Sequence, residues 1–153
     1  MVEISGGRRK IGRVSRQLVG TIAFAILFSV PTSLYLACGA CGAAGFTVYA
    51  LLVAAGLTPT ISIFFGTLCV GLMARFLAVW LRSPSTEFVI TGIFPLVPGA
   101  GVYWTSYYLV TGELQAALSS GFEAVKAAVA ISLGLVIVFE IPNRFFHLIR
   151  KGQ

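Results

Sequence analysis

Residues 94–104 read Phe94-Pro95-Leu96-Val97-Pro98-Gly99-Ala100-Gly101-Val102-Tyr103-Trp104, inside a run otherwise apolar enough to lie in a lipid bilayer. A proline has no N–H to give the carbonyl four residues back, so Pro95 and Pro98 deprive Thr91 and Phe94 of their usual intrahelical donors. In hydrocarbon each unsatisfied backbone group costs several kcal/mol, and irregular backbone survives at depth only where protein buries it or a polar cavity faces it. The segment is therefore expected to turn inward. Gly99 and Gly101 permit unusual dihedrals and let bare backbone approach whatever occupies the cavity. A second half-helix starting at Pro98 and running through Tyr103 and Tyr107 aims its free amides and positive dipole end at the break, which suits a carboxylate. Discontinuous transporter helices present half-helix N-termini to anionic substrate groups in this way. The plainer alternative is a proline kink that serves packing alone.

The composition requires a membrane. Of 153 residues, 58% are hydrophobic and only 10% charged, and the mean hydropathy of +0.94 leaves too few polar residues to coat a water-soluble domain. The net charge of +6 is read as charge at the rims of a lipid-bathed bundle. Nucleic acid is excluded as a partner, because the basic residues sit beside hydrophobic spans and do not form an interleaved patch. Cys38, Cys41 and Cys69 all lie in apolar runs, which argues against a disulfide framework. With one histidine and no close acidic pair, neither a metal nor another cofactor is expected.

Arg8, Arg9, Lys10, Arg13 and Arg16 precede the apolar stretch that begins at Leu18, the signature of a cytoplasmic N-terminus. Apolar character persists from 18 to 57, too long for a cleaved signal peptide. The lipoprotein-like Tyr35-Leu36-Ala37-Cys38 has the wrong first residue. Pro31-Thr32-Ser33 divides this run into a first helix near 12–30 and a second near 34–55. Gly56, an N-cap Thr58 and Pro59 open a third helix to about 81, and Arg82-Ser83-Pro84-Ser85 opens the broken fourth, which ends at Thr111-Gly112. The fifth is expected to start near Ala117, to carry Glu123 and Lys126 as a pair close to its entry, and to stop at Pro142-Asn143. The expected fold class is thus an all-α integral membrane protein of about five transmembrane helices. A basic cytoplasmic segment at 1–17 precedes the transmembrane domain at 18–142, and a basic interfacial tail follows at 143–153. Five crossings place that tail outside, against the usual charge bias; four would remove the conflict, but segment lengths favour five.

Phe94 to Tyr103, together with Phe28-Ser29-Val30-Pro31 upstream and the spacing of the hydrophobic segments, resembles the threonine/serine exporter family in its small-subunit form. The resemblance runs from about 18 to 142. It implies an inner-membrane exporter of small hydroxy-amino acids or small dicarboxylates, driven by an ion gradient and not enzymatic. It also implies a larger membrane subunit as partner, alongside the lipid bilayer and a small anionic or zwitterionic solute. It supplies no transferable site residues.

The candidate substrate-binding set therefore rests on the physics of the break: Thr91, Phe94, Pro95, Pro98, Gly99, Ala100, Gly101, Tyr103 and Tyr107. Arg75 joins it as a counter-ion for a carboxylate, against the plainer reading of a side chain that snorkels to the headgroups. Gly39, Gly42 and Gly45 thin the second helix for close packing within the bundle or with the partner half; a homo-oligomer is a separate expectation. Glu140 reads as a wet helix end. Two functions compete with export: a scaffold or channel without coupled transport, and a membrane thiol oxidoreductase using Cys38 and Cys41, whose spacing lacks an activating base.

Overall fold

Glycine and proline punctuation sets the helix ends. In a computed structural model that describes residues 19–141, every regular element is helical; the expected segments at 1–17 and 143–153 lie outside those residues. The described part of α1 covers 19–27. It closes as a Schellman motif, with the Val30 amide on the Ala25 carbonyl and the Ser29 amide on Ile26, each at 3.0 Å. Ser29 takes the left-handed position usually reserved for glycine, at φ 56°. A short 3₁₀ turn, Thr32–Leu34, leads into α2, Tyr35–Ala54. Gly56, at φ 89°, ends α2 by the same motif, and α3 occupies Pro59–Leu81. Thr58 holds the N-cap position, but its side chain makes no cap bond. Its carbonyl instead accepts the Ser62 hydroxyl at 3.0 Å, which corrects the expected capping role.

Arg82, left-handed at φ 53°, ends α3. Then come α4 (Ser85–Ile93), a 3₁₀ turn (Phe94–Leu96), α5 (Gly99–Thr111) and α6 (Leu114–Glu140). Three helical segments are long and apolar enough to cross a membrane: Thr32–Ala54, Pro59–Leu81 and Leu114–Glu140. Ser85–Leu96 and Gly99–Thr111 make a further span bent by 53°. The all-α membrane bundle with a broken fourth segment is what the structure shows. One boundary shifts. Because α6 starts at Leu114, Lys126 stands at the middle of its 27 residues, so Glu123 and Lys126 are not near its entry as expected.

Within lipid the hydrophobic effect does little to join helices, and close packing over small residues takes its place. The core lies among α1 to α4, where Cys38, Cys41, Val70, Ala74 and Phe88 are all wholly buried. Gly45 of α2 crosses α3 at Gly66: a Cβ on either would sit 3.1–3.2 Å from the other's carbonyl oxygen. α6 joins from the far side of α3, with Gly134 against Thr67 and Val138 against Gly71. α5 has no buried residue and leans chiefly on α6.

Candidate functional site

At the break, α4 runs on into its 3₁₀ turn, and the Val97 amide donates to the Phe94 carbonyl at 3.3 Å. The Phe94 carbonyl thus has a donor, contrary to the expectation from proline chemistry, because a tighter turn replaces the lost bond. Pro98 follows at φ −77°, ψ 54°, and the Gly99 amide reaches the Val97 carbonyl at 2.8 Å, closing an inverse γ-turn. Neither Gly99 nor Gly101 has a positive φ, which corrects the expected unusual dihedrals. Gly101 serves close approach instead, since a Cβ there would lie 3.3 Å from the Ala124 methyl of α6. Gly99 faces open space. Its amide is engaged locally, whereas those of Ala100 and Gly101 have no acceptor within the helix.

The two halves of the broken span fare differently. The α4 half turns inward as expected: Thr91 is wholly buried, its hydroxyl donating to the Glu87 carbonyl at 2.8 Å and lying beside the Cys38 thiol. Pro95 and Pro98 are half-buried and Ala100 is exposed. On α5, Tyr103 and Tyr107 are exposed and belong to an aromatic cluster around Trp104, with ring centroids 5.4 and 5.7 Å away. They do not converge with Thr91 on one cavity. The expectation of a wholly inward segment fails there because α5 has mainly α6 to rest on.

Phe94 ties the break to α1. Its ring stacks on Phe24 at 3.5 Å and meets Phe28 at 5.8 Å. The two stretches that carry the family resemblance, at 28–31 and 94–103, therefore touch in space. Residues 14–141 match the family model described as Threonine/Serine exporter, ThrE. The chain belongs to the threonine/serine exporter family. No curated protein and no solved structure matches it.

Arg75 of this exporter is neither a headgroup anchor nor a counter-ion at the break. It is 8% exposed, and its guanidinium donates to the carbonyls of Val138 at 2.5 Å, Ile141 at 2.6 Å and Phe139 at 3.5 Å. Those carbonyls close the C-terminus of α6, where the helix dipole also favours a cation; among the described residues only Val138 has a backbone donor as well, the Ile141 amide at 3.3 Å. The plain readings of a membrane arginine omit this role because its partners are backbone atoms more than sixty residues away. Gly39, Gly42 and Gly45 are all buried; a Cβ on Gly42 would meet Thr21 of α1 at 2.5 Å, and one on Gly45 would meet Val70 at 2.2 Å.

Glu87, unremarked in the sequence, is the unexplained group. Its Oε2 is buried with no hydrogen-bond partner, in the first turn of α4 and near Cys38. The available signal was a carboxylate three residues past Pro84 in a segment otherwise without charge up to Gly112. Cys38 and Cys41 are free thiols and wholly buried, so no disulfide substrate reaches them here. Among the described residues no three His, Cys, Asp or Glu side chains converge on a metal site.

Proposed function

We propose that this chain is the small subunit of a secondary-active exporter of threonine and serine or of small dicarboxylates. In this reading it works with a larger membrane subunit in the inner membrane, its N-terminus cytoplasmic, and performs no chemistry. The observation that carries the reading is a broken span, bent by 53°, within a chain matched by an exporter family over residues 14–141. Free amides at the start of α5 offer a docking point for a carboxylate. Glu87 lies further along the same span, an acceptor that a passing ammonium group or coupling cation would satisfy.

Gly99 provides the cleaner test, since open space surrounds it whereas Gly101 packs on Ala124. Gly99→Leu is expected to insert and accumulate like the wild type while efflux of labelled substrate falls at least tenfold. Efflux at the wild-type rate would remove the break from the pathway. Glu87→Gln keeps the shape of the side chain and removes its negative charge. It is expected to cut efflux at least tenfold at unchanged protein level, and unchanged efflux would make Glu87 a helix-terminal carboxylate and nothing more.

A further inference from the structure

Glu123 and Lys126 form an ion pair on α6, with Lys126 also over the Phe122 ring at 5.1 Å. Their side chains are 62% and 39% exposed respectively. Glu113 holds the N-cap position of the helix and Glu140 is its last residue, and Lys126 stands midway between them. Lipid is a poor neighbour for such a pair, since charges inside a membrane face the bundle interior or one another.

The face that bears them is continuous with a packed one. Ala127, Ala130, Gly134 and Val138 are buried. Steps of four residues back along the same stripe give Glu123 and Ser119, which are exposed, before the half-buried Ala116. The cause is an offset between neighbours. α3 and α6 run parallel, with Thr67 level with Gly134 and Gly71 level with Val138, which brings Pro59 level with Lys126. The twelve α6 residues at 114–125 therefore overhang the start of α3 by about 18 Å, covered chiefly by α5.

A hydrocarbon core of about 30 Å cannot seat both helices equally. Centring it on α3 leaves exposed Leu114, Leu118 and Phe122 beyond its edge. Centring it on α6 leaves the ion pair in lipid. Contact with another protein removes either misfit. The charges themselves name the occupant: a two-fold axis along the bilayer normal sets Glu123 of one copy within about 4.5 Å in depth of Lys126 of the other, within reach of the two side chains, and the reverse. The face is its own complement, as an isologous interface requires.

We propose that the α6 face carrying Ser119, Glu123 and Lys126 is the docking surface for a second copy of this chain. Full-length copies bearing two different affinity tags are co-expressed, membranes are solubilised in mild detergent, and one tag is captured. Wild-type copies are expected to bring each other down. Glu123→Lys makes the face wholly positive and Lys126→Glu makes it wholly negative, so each variant alone should lower co-capture at least tenfold. Mixing one with the other should restore it to within about twofold of wild type, because only facing surfaces let one chain's charge repair the other's. Wild-type copies that never co-purify, single variants that associate normally, or a mixture as poor as the singles would each overturn the proposal. The last of these is the result expected if a different subunit or lipid covers the face. Ser119→Cys, which keeps both charges, is a second reading should the charge variants fail to accumulate. Oxidation should link two copies under conditions that leave the wild type unlinked, and no link would count against the interface. No efflux is measured, so failure here leaves the exporter reading standing.

Discussion

Arg75→Leu is expected to destabilise the bundle by on the order of 3 kcal/mol, the scale of a buried charge-assisted hydrogen-bond set that loses its donor. Leucine fills much of the space and removes the cost of burying a charge, so the loss falls on the acceptors. The carbonyls of Phe139 and Ile141, now served by the guanidinium, would be left without a donor among the described residues, and that of Val138 would keep only its bond from the Ile141 amide. Arg75→Lys keeps the charge but has one nitrogen where the guanidinium has a fork, and should fall between the two. Reversible unfolding in mixed micelles measures both. The consequence is local before it is global: the last turn of α6 should fray first, so a cysteine placed at Ile141 should react with a water-soluble maleimide faster in Arg75→Leu than in the parent. A leucine variant as stable as the wild type, with that turn still protected, would show that the carbonyls find other partners.

The elements most legible in the sequence were those whose ends are dictated by backbone chemistry. Gly56 and Gly112 could be read as helix stops because a left-handed residue is needed there and glycine takes that conformation at least cost. Pro59 marks a start because a missing N–H costs nothing in a first helical turn, and Pro84 marks one from the N-cap position just before α4. The break at Pro98 was visible for the same reason. Ser29 and Arg82 occupy left-handed positions without glycine's licence, and nothing local announced them. Side-chain destinations were less legible. Arg75 could be placed at a depth, but its acceptors lie on α6, and no periodicity within α3 encodes which helix end will arrive beside it. Tyr103 and Tyr107 read as cavity-facing on the assumption that a broken helix is buried along its whole length. The 53° bend separates the two halves, and only the α4 half enters the core. Glu87 stands in the first turn of α4, where an acid has an ordinary electrostatic explanation. Only the packing of α4 against α2 reveals an oxygen without a donor.

Gly45 is where packing should be least forgiving. Alanine would improve the intrinsic helix propensity of α2 by about 1 kcal/mol, yet its methyl would lie 2.2 Å from Val70 Cγ2 and 3.2 Å from the Gly66 carbonyl oxygen. The first obstacle is a side chain that can be trimmed; the second is backbone on a helix fixed from both sides. Gly45→Ala is therefore expected to cost about 1–3 kcal/mol, the usual range for overpacking a well-filled site. Gly45→Leu should force α2 and α3 apart and abolish accumulation in the membrane. Val70→Ala alone opens space beside Gly92 and Cys41 and should destabilise by cavity formation. In the double variant Gly45→Ala, Val70→Ala the new methyl occupies part of the space that valine vacates, so its loss should be smaller than the two single losses added together. Denaturant titration of the four proteins measures that coupling directly. Strict additivity would mean that α2 and α3 adjust their separation freely, and the Gly45–Gly66 crossing would then no longer be the fixed point that carries Cys38, Cys41 and the buried half of the broken span.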